Sequence, residues 1–159
     1  ALDSGFEVSW YPSYSPEVRG GEAMCTVVVS DQPVRSPIVG RPRAMLLMSP
    51  SAALTHSPAC AVGGLIVVNT SLGPIQIRRD DVRVVGVAAN GLAREAGSDQ
   101  VANMVMLGAY LALRHPQLLH AVEQALRSVL PERHHRFIPV NTKAIELGRQ
   151  AVAVRGECP

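Results

Sequence analysis

The stretch GGLIVV at residues 63–68 decides the fold. Its glycine pair predicts a turn, and the apolar residues after it are continuous rather than alternating with polar ones. A run of this kind is typical of a strand that is covered on both faces, as in layered α/β proteins. We therefore expect a buried strand here, within an α/β domain.

Other apolar runs predict the rest of the architecture. Further strands are expected at residues 7–11, 24–29, 44–48 and 82–87. A short helix is expected at residues 49–61, interrupted by Pro58. The last third has the apolar spacing of helices, and Ser98 is well suited to cap the first of them. Strands with interspersed helices, followed by a helical tail, predict one α/β domain.

The composition excludes several classes of protein. With 159 residues, 47% of them hydrophobic and 18% charged, the chain can bury a core and is not a disordered tail. The net charge is +2 and the basic residues are scattered, which argues against nucleic-acid binding. The apolar segment at residues 101–113 is too short to span a bilayer. Three cysteines without pairing spacing predict reduced thiols in the cytoplasm, with Cys25 in the core.

No catalytic or metal-binding set emerges from the motifs. Ser49 lacks the glycines of a nucleophile elbow, no phosphate-binding glycine loop is present, and His134-His135 has no further ligands at zinc spacing. Three cysteines are too few for a [4Fe–4S] cluster, which takes about four thiolates. Asn69-Thr70-Ser71 matches a glycosylation acceptor, which we interpret as coincidence in a cytoplasmic chain.

The strongest candidate site is the loop YPSYSPEVRGG at residues 11–21. Its prolines limit its conformations, and its closing glycines allow a backbone to approach closely. Tyrosine, glutamate and arginine side chains held in such a loop can hydrogen-bond a carboxylate, a phosphate or a partner loop. The alternative is a structural loop with a local ion pair. The candidate site residues are Tyr14, Glu17, Arg19, Gly20 and Gly21.

Two asparagines in the predicted helices are candidates for structural polar residues. Asn103 lies in an otherwise apolar helix, where a buried amide needs a hydrogen-bond partner. Asn141 lies at the start of the last predicted helix. We expect both to act structurally rather than as ligand groups.

Four motifs in a fixed order give the sequence its resemblance to a known family. The first, P-S-Y-S-P-E-V-R-G-G at residues 12–21, resembles the gamma subunit of 2-oxoacid:acceptor (ferredoxin) oxidoreductases, and the 2-oxoglutarate branch most closely. The other motifs are G-L-I-V-V-N-T-S at residues 64–71, N-M-V-M-L-G-A at residues 103–109 and N-T-K-A-I-E-x-G at residues 141–148.

Two features depart from the family pattern. Ser15 replaces the usual glycine of the first motif, and the family's opening strand with its G-x-G-G-Q-G loop is not found. The first residues, up to Gly5, have the pattern of a helix end. We therefore expect residues 1–159 to be a single gamma-type domain without its N-terminal strand and glycine-rich loop.

The resemblance implies a fold and a place in an enzyme. The fold would be a three-layer αβα domain with a mixed sheet, like the gamma domain (domain III) of pyruvate:ferredoxin oxidoreductase. The holoenzyme decarboxylates a 2-oxo acid on thiamine diphosphate, passes electrons through [4Fe–4S] clusters to ferredoxin and transfers the acyl group to coenzyme A. The thiamine diphosphate and the clusters would lie on partner subunits, so this chain alone would bind no cofactor and catalyse nothing.

By the same resemblance, residues 12–21 would face coenzyme A or a partner subunit, with Tyr14 and Arg19 as polar anchors. Trp10, Tyr11 and Tyr14 crowd together in a chain with only 4% aromatic residues, which fits an interface. The alternatives are the pyruvate and indolepyruvate branches, and a non-catalytic protein that binds a nucleotide or coenzyme A on the same scaffold.

Overall fold

The computed structural model describes residues 1–2, 5–14 and 23–153. The chain divides into two units, Ala1–Pro42 and Arg43–Pro159, and each has its own sheet. Both helices and strands are present, so the predicted α/β class is confirmed. Within the described residues, no helix is both long enough and apolar enough to cross a membrane.

The first unit is built on an antiparallel ribbon of two strands. β1 spans Glu7–Tyr14 and β2 spans Ala23–Ser30, with Tyr14 opposite Ala23. β1 continues beyond the predicted end at Tyr11 and includes Pro12, which lies opposite Cys25. A proline is tolerated there because both strands of a two-stranded ribbon are edge strands.

The exposure of β2 corrects one prediction. The apolar run at residues 24–29 predicted a strand covered on both faces, but Met24, Val27 and Val29 are exposed. Cys25 is exposed as well, so its expected place in the core is wrong. A continuous apolar run shows only that both faces of a strand are apolar, and it does not show that other elements cover them.

The second unit contains a parallel sheet of three strands in the order β3–β4–β5. The strands are Ala44–Leu47 (β3), Leu65–Asn69 (β4) and Arg83–Val87 (β5). β4, the strand expected from GGLIVV, lies in the centre, and all of its residues are buried. In the described residues the antiparallel pair and the parallel strands form separate sheets rather than one mixed sheet. Long crossovers join β3, β4 and β5, which is what parallel pairing requires.

Helices cover both faces of the parallel sheet, as the expected three layers require. Leu65 and Val67 pack in one cluster with residues of three helices, and Ile66 and Val68 pack in a second cluster with Ala53. The helices of the first cluster are α2 (Ala89–Ala96), α3 (Ala102–Arg114) and α5 (Ile138–Ala153). The second cluster includes α1 (Pro50–His56), while α4 (Val122–Val129) packs on α5.

One helix start and one helix break agree with the sequence patterns. Ser98 caps its helix, since its Oγ accepts a hydrogen bond from the N–H of Gln100 at 3.2 Å. The chain first makes a 3₁₀ turn at Asp99–Val101, and α3 begins after it. The predicted break at Pro58 is a 3₁₀ turn at Ser57–Ala59 that follows α1.

Helices α3 and α5 cross at two glycines. A methyl group on Gly108 would overlap the carbonyl group of Ile145, and one on Gly148 would overlap the carbonyl group of Val105. The backbones of the two helices are therefore in direct contact, which a larger residue at either position would prevent. Both glycines belong to motifs identified in the sequence, and the crossing gives a physical reason for them.

Arg79 ties the segment before β5 to the turn after α1. Its Nε and Nη2 donate to the two carboxylate oxygens of Asp81 at 2.7 and 2.5 Å. Its Nη1 also donates to three carbonyl oxygens, at 3.1, 3.2 and 2.7 Å, which belong to Ser57, Pro58 and Cys60. Hydrogen bonds from the Arg79 guanidinium hold the pKa of the Asp81 carboxyl below its ordinary value.

We expect Arg79→Met to lower the melting temperature by several degrees, because the carboxylate and the carbonyl groups lose their shared donor. The lowered pKa means that the Asp81 contribution is present above the carboxyl's unfolded pKa and is lost as pH falls through the folded pKa. The difference from wild type should therefore shrink below about pH 4. Thermal unfolding by circular dichroism tests this, with Arg78→Met as the control because Arg78 is exposed. Equal effects of the two substitutions would contradict it.

Candidate functional site

A hydrogen-bond network lies at the carboxyl edge of the parallel sheet, the edge where open α/β sheets usually bind ligands. Asn69, the last residue of β4, is only 1% exposed. Its Nδ2 donates to the carbonyl oxygen of Met48, just after β3, at 3.3 Å and to Oδ1 of Asn90 at 2.9 Å. Its Oδ1 accepts from the N–H groups of Ser71 and Ala89 at 3.1 and 3.2 Å. One buried amide thus joins the ends of β3 and β4 to the start of α2.

The same network caps helix α2. Ala88, the residue before the helix, has no side chain that can accept a hydrogen bond. Instead, Asn69 accepts from the first N–H of the helix, and Ser71 Oγ accepts from the N–H of Asn90 at 2.9 Å. The cap is therefore supplied by residues far from the helix in sequence, and it replaces the usual N-cap side chain.

Helix α1 also begins at this edge. The Oγ of Ser49 accepts from the N–H of Ala52 at 3.1 Å, and Pro50 occupies the first turn. Ser51 Oγ lies 3.0 Å from Ser49 Oγ. We call the set Ser49, Ser51, Asn69, Ser71 and Asn90 the polar edge. It offers hydroxyl groups, amides and helix-terminal N–H groups, but none of its side chains ionises near neutral pH, so it is not equipped for acid–base catalysis.

The predicted site at residues 12–21 is described only in part. Tyr14 is the last residue of β1 and is 70% exposed, so its hydroxyl group is available to a ligand or a partner. Glu17, Arg19, Gly20 and Gly21 lie outside the described residues. Their role stays a prediction.

The two asparagines expected to be structural make local hydrogen bonds. Asn103 is exposed on α3, and its Oδ1 accepts from the N–H of Met104 at 3.0 Å. Asn141 Nδ2 donates to the carbonyl oxygen of Phe137 at 2.7 Å. Asn69, by contrast, is buried and therefore depends on its hydrogen bonds. The sequence patterns indicated it only as a member of a motif and as a coincidental glycosylation match. Its burial excludes it as a glycan acceptor in the folded chain.

The described residues offer no set of side chains for a metal ion, and the thiol of Cys60 is not activated. Nowhere in residues 1–2, 5–14 and 23–153 do three His, Cys, Asp or Glu side chains come together to hold a metal ion. Cys60 is free and buried, and burial raises the pKa of its thiol. A thiol that stays protonated is a poor nucleophile.

Comparison with known families covers nearly the whole chain. The family model for pyruvate ferredoxin/flavodoxin oxidoreductase matches residues 1–151. The chain belongs to this family. The resemblance drawn from the four sequence motifs is confirmed as far as the family is concerned.

Two relatives are similar to most of this chain and differ in how much of their own length is matched. Ketoisovalerate oxidoreductase subunit VorA of Methanothermobacter marburgensis is 31% identical over 149 residues, which are 93% of this chain and 31% of VorA. The chain thus spans about a third of VorA's length. The 2-oxoglutarate synthase subunit KorC of Methanothermobacter thermautotrophicus is 32% identical over 146 residues, 88% of this chain and 76% of KorC.

A solved structure has a similar fold. It is the gamma subunit of a keto/oxoacid ferredoxin oxidoreductase from Geobacter sulfurreducens PCA, which matches with a TM-score of 0.74 at 28% identity. The match covers 97% of this chain and 85% of that gamma subunit. The fold expected from the motifs is therefore found in a member of the predicted subunit class.

Proposed function

We propose that this chain is the gamma subunit of a 2-oxoacid:ferredoxin oxidoreductase and is catalytic only within the complete enzyme. The observation that carries the proposal is the match to KorC, which extends over 88% of this chain and 76% of KorC. The fold shared with the Geobacter sulfurreducens gamma subunit supports it. On this proposal residues 1–159 form one gamma-type domain of a cytoplasmic complex.

The donor groups of the chain suit a supporting subunit. Three cysteines cannot supply the four or so thiolates of a [4Fe–4S] cluster, and the polar edge holds no ionisable group. We assign the thiamine diphosphate and the clusters to partner subunits, and the electrons to ferredoxin. Thiamine diphosphate supplies the chemistry of 2-oxo acid decarboxylation when bound there. The role of this chain is to hold the partner subunits and to shape the approach of coenzyme A.

The proposed substrate is 2-oxoglutarate, in line with the sequence motifs and the similarity to KorC. VorA, whose name refers to ketoisovalerate, is similar to the same degree, so ketoisovalerate is the competing substrate. Ferredoxin reduction by the assembled enzyme, measured under anaerobic conditions with each 2-oxo acid, separates the branches. We expect the highest kcat/KM with 2-oxoglutarate. Preference for ketoisovalerate, pyruvate or indolepyruvate would overturn the substrate and leave the subunit class unchanged.

Residues 12–21 are proposed to face coenzyme A or a partner subunit. Tyr14 and Arg19 would act as polar anchors, with Glu17 between them in the sequence, while Gly20 and Gly21 would allow a close backbone approach. The high exposure of the Tyr14 side chain supports this role. An arginine is suited to the phosphates of coenzyme A because its guanidinium group can form paired, charge-assisted hydrogen bonds.

Arg19→Ala is expected to raise the KM for coenzyme A by about tenfold, or to weaken assembly by a similar factor, because a charge-assisted hydrogen bond is lost. Steady-state kinetics and size-exclusion chromatography of the assembled enzyme distinguish the two effects. Arg35→Ala is the control, since Arg35 is an exposed arginine of the same unit. Identical kinetics and assembly for the two variants would reject the proposed role of Arg19.

A further inference from the structure

The two faces of the β1–β2 ribbon differ in chemistry. Opposed residues of an antiparallel pair share a face, and faces alternate along each strand. We call one face the Trp10 face; its members are Val8, Trp10, Pro12, Tyr14, Ala23, Cys25, Val27 and Val29. We call the other the Ser9 face; its members are Glu7, Ser9, Tyr11, Ser13, Met24, Thr26, Val28 and Ser30. The Trp10 face has no charged side chain, whereas the Ser9 face carries a glutamate and a row of hydroxyl groups.

The Trp10 face is apolar and yet exposed. Trp10 is 64% exposed and lies directly opposite Val27, which is 56% exposed. Tyr14 and Val29 extend the patch toward the two ends of the ribbon, at 70% and 46% exposure. An uncharged patch with a tryptophan at its centre and a tyrosine at one end has the composition of an interface core. An exposed apolar patch of this size is often functional.

The dimensions of the face favour a large partner over a second copy. Strands of eight residues are about 27 Å long, so a face two strands wide covers roughly 300 Å². A stable interface buries about 800 Å² on each partner. Two copies that met only through this face would bury too little surface, whereas a large subunit can cover it and contact neighbouring surface as well.

The comparison with VorA indicates which subunit the large partner is. The region similar to this chain makes up 31% of VorA, so in VorA it is joined covalently to a longer stretch of polypeptide. KorC, in which the matching region makes up 76% of the length, is a separate subunit, and on the proposed function this chain is one too. It then needs a non-covalent contact with the equivalent of that polypeptide. Such a contact, maintained throughout the life of an enzyme, is typically apolar and poor in charge.

We propose that the Trp10 face is the docking surface for the subunit that corresponds to the remainder of VorA, with Trp10 and Val27 at the centre of the contact. This inference rests on the proposed function and adds to it the face of the ribbon that makes the contact. Tyr14 and Ala23, which flank residues 15–22, belong to the same face. Docking there brings both ends of that stretch to the partner.

The test uses the full chain and the separately expressed subunit from the same genome that is homologous to the remainder of VorA. Trp10→Glu and Val27→Glu should each weaken their binding at least about tenfold, measured by biolayer interferometry. Tyr11→Glu is the matched control, because Tyr11 is the next residue, is 50% exposed and lies on the Ser9 face. Trp10→Ala, which introduces no charge, should weaken binding in the same direction. Circular dichroism of each variant establishes that the fold is retained.

The possible results separate this inference from the proposed function. If wild type forms the complex and the Trp10-face variants bind as tightly as Tyr11→Glu, the docking face is wrong and the proposed function stands. If wild type forms no complex with any subunit of the enzyme, both fail. If wild type is a dimer in sedimentation and Trp10→Glu is a monomer, the face belongs to a second copy and the docking proposal is overturned.

Discussion

Gly148→Ala is expected to destabilise the chain by about 3 kcal/mol and to lower its melting temperature by roughly 10 °C. The added methyl group would overlap the carbonyl group of Val105, so α3 and α5 would have to move apart. That movement loosens the buried cluster that both helices share. Gly108→Ala should have a similar effect, because its methyl group would overlap the carbonyl group of Ile145.

Gly91→Ala is the matched control for this prediction. Gly91 lies in helix α2, is exposed, and has nothing within 4 Å of the position that a Cβ would occupy. Alanine there should stabilise the chain by about 0.5–1 kcal/mol, because it favours the helix over the unfolded chain. The double variant Gly108→Ala/Gly148→Ala should cost less than the sum of the single changes, since one helix displacement relieves both overlaps. A melting temperature for Gly148→Ala at or above wild type would contradict the tight crossing.

Asn69→Leu is expected to destabilise the chain by about 2–4 kcal/mol. Leucine leaves the N–H groups of Ser71 and Ala89 and the carbonyl group of Met48 without the partners that Asn69 supplies. The first N–H group of α2 loses its capping acceptor at the same time. Urea unfolding followed by circular dichroism measures the effect.

Asn103→Leu is the control for the buried amide. Asn103 is exposed and makes a local hydrogen bond to Met104, so its replacement should change stability by less than about 0.5 kcal/mol. Asn90→Ala, which removes one of the two acceptors for Asn69 Nδ2, should cause a loss of stability between those of the other two variants. Equal stability losses for Asn69→Leu and Asn103→Leu would show that the network at the sheet edge contributes little.

Strand β4 and the start of the helical region at Ser98 could be predicted from the sequence because their patterns are local. A glycine pair followed by a continuous apolar run identifies β4, and Ser98 identifies the start of the helical region. Gly108 and Gly148 lie within motifs that the sequence showed, although their spacing does not reveal that they face each other. Only the crossing of α3 and α5 explains why no side chain fits at either position.

Helix α2 escaped prediction because its stabilising groups lie elsewhere in the chain. Its buried side chains are alanines, which give a weak apolar pattern, and Gly91 lies in its first turn. Its cap comes from Asn69 and Ser71, which follow a different strand. A reading confined to local sequence finds alanine at the N-cap position and has no reason to begin a helix there.

The ribbon shows a different limit. Its strands were expected from apolar runs. Such a run does not distinguish a strand covered by helices from one whose apolar face is exposed. Trp10 and Tyr11 are neighbours in sequence and lie on opposite faces, so their crowding with Tyr14 did not reveal which face is apolar. The pairing register supplies that distinction.

Anaerobic purification of the tagged full-length protein from its own organism tests whether it is a subunit of an enzyme complex. We expect it to elute with subunits that contain thiamine diphosphate and [4Fe–4S] clusters, and the eluted complex to reduce ferredoxin with a 2-oxo acid and coenzyme A. Mass spectrometry, thiamine diphosphate content and the ferredoxin assay are read from the same sample. Elution of the protein alone, or with partners that contain no thiamine diphosphate, would contradict its assignment as a gamma subunit.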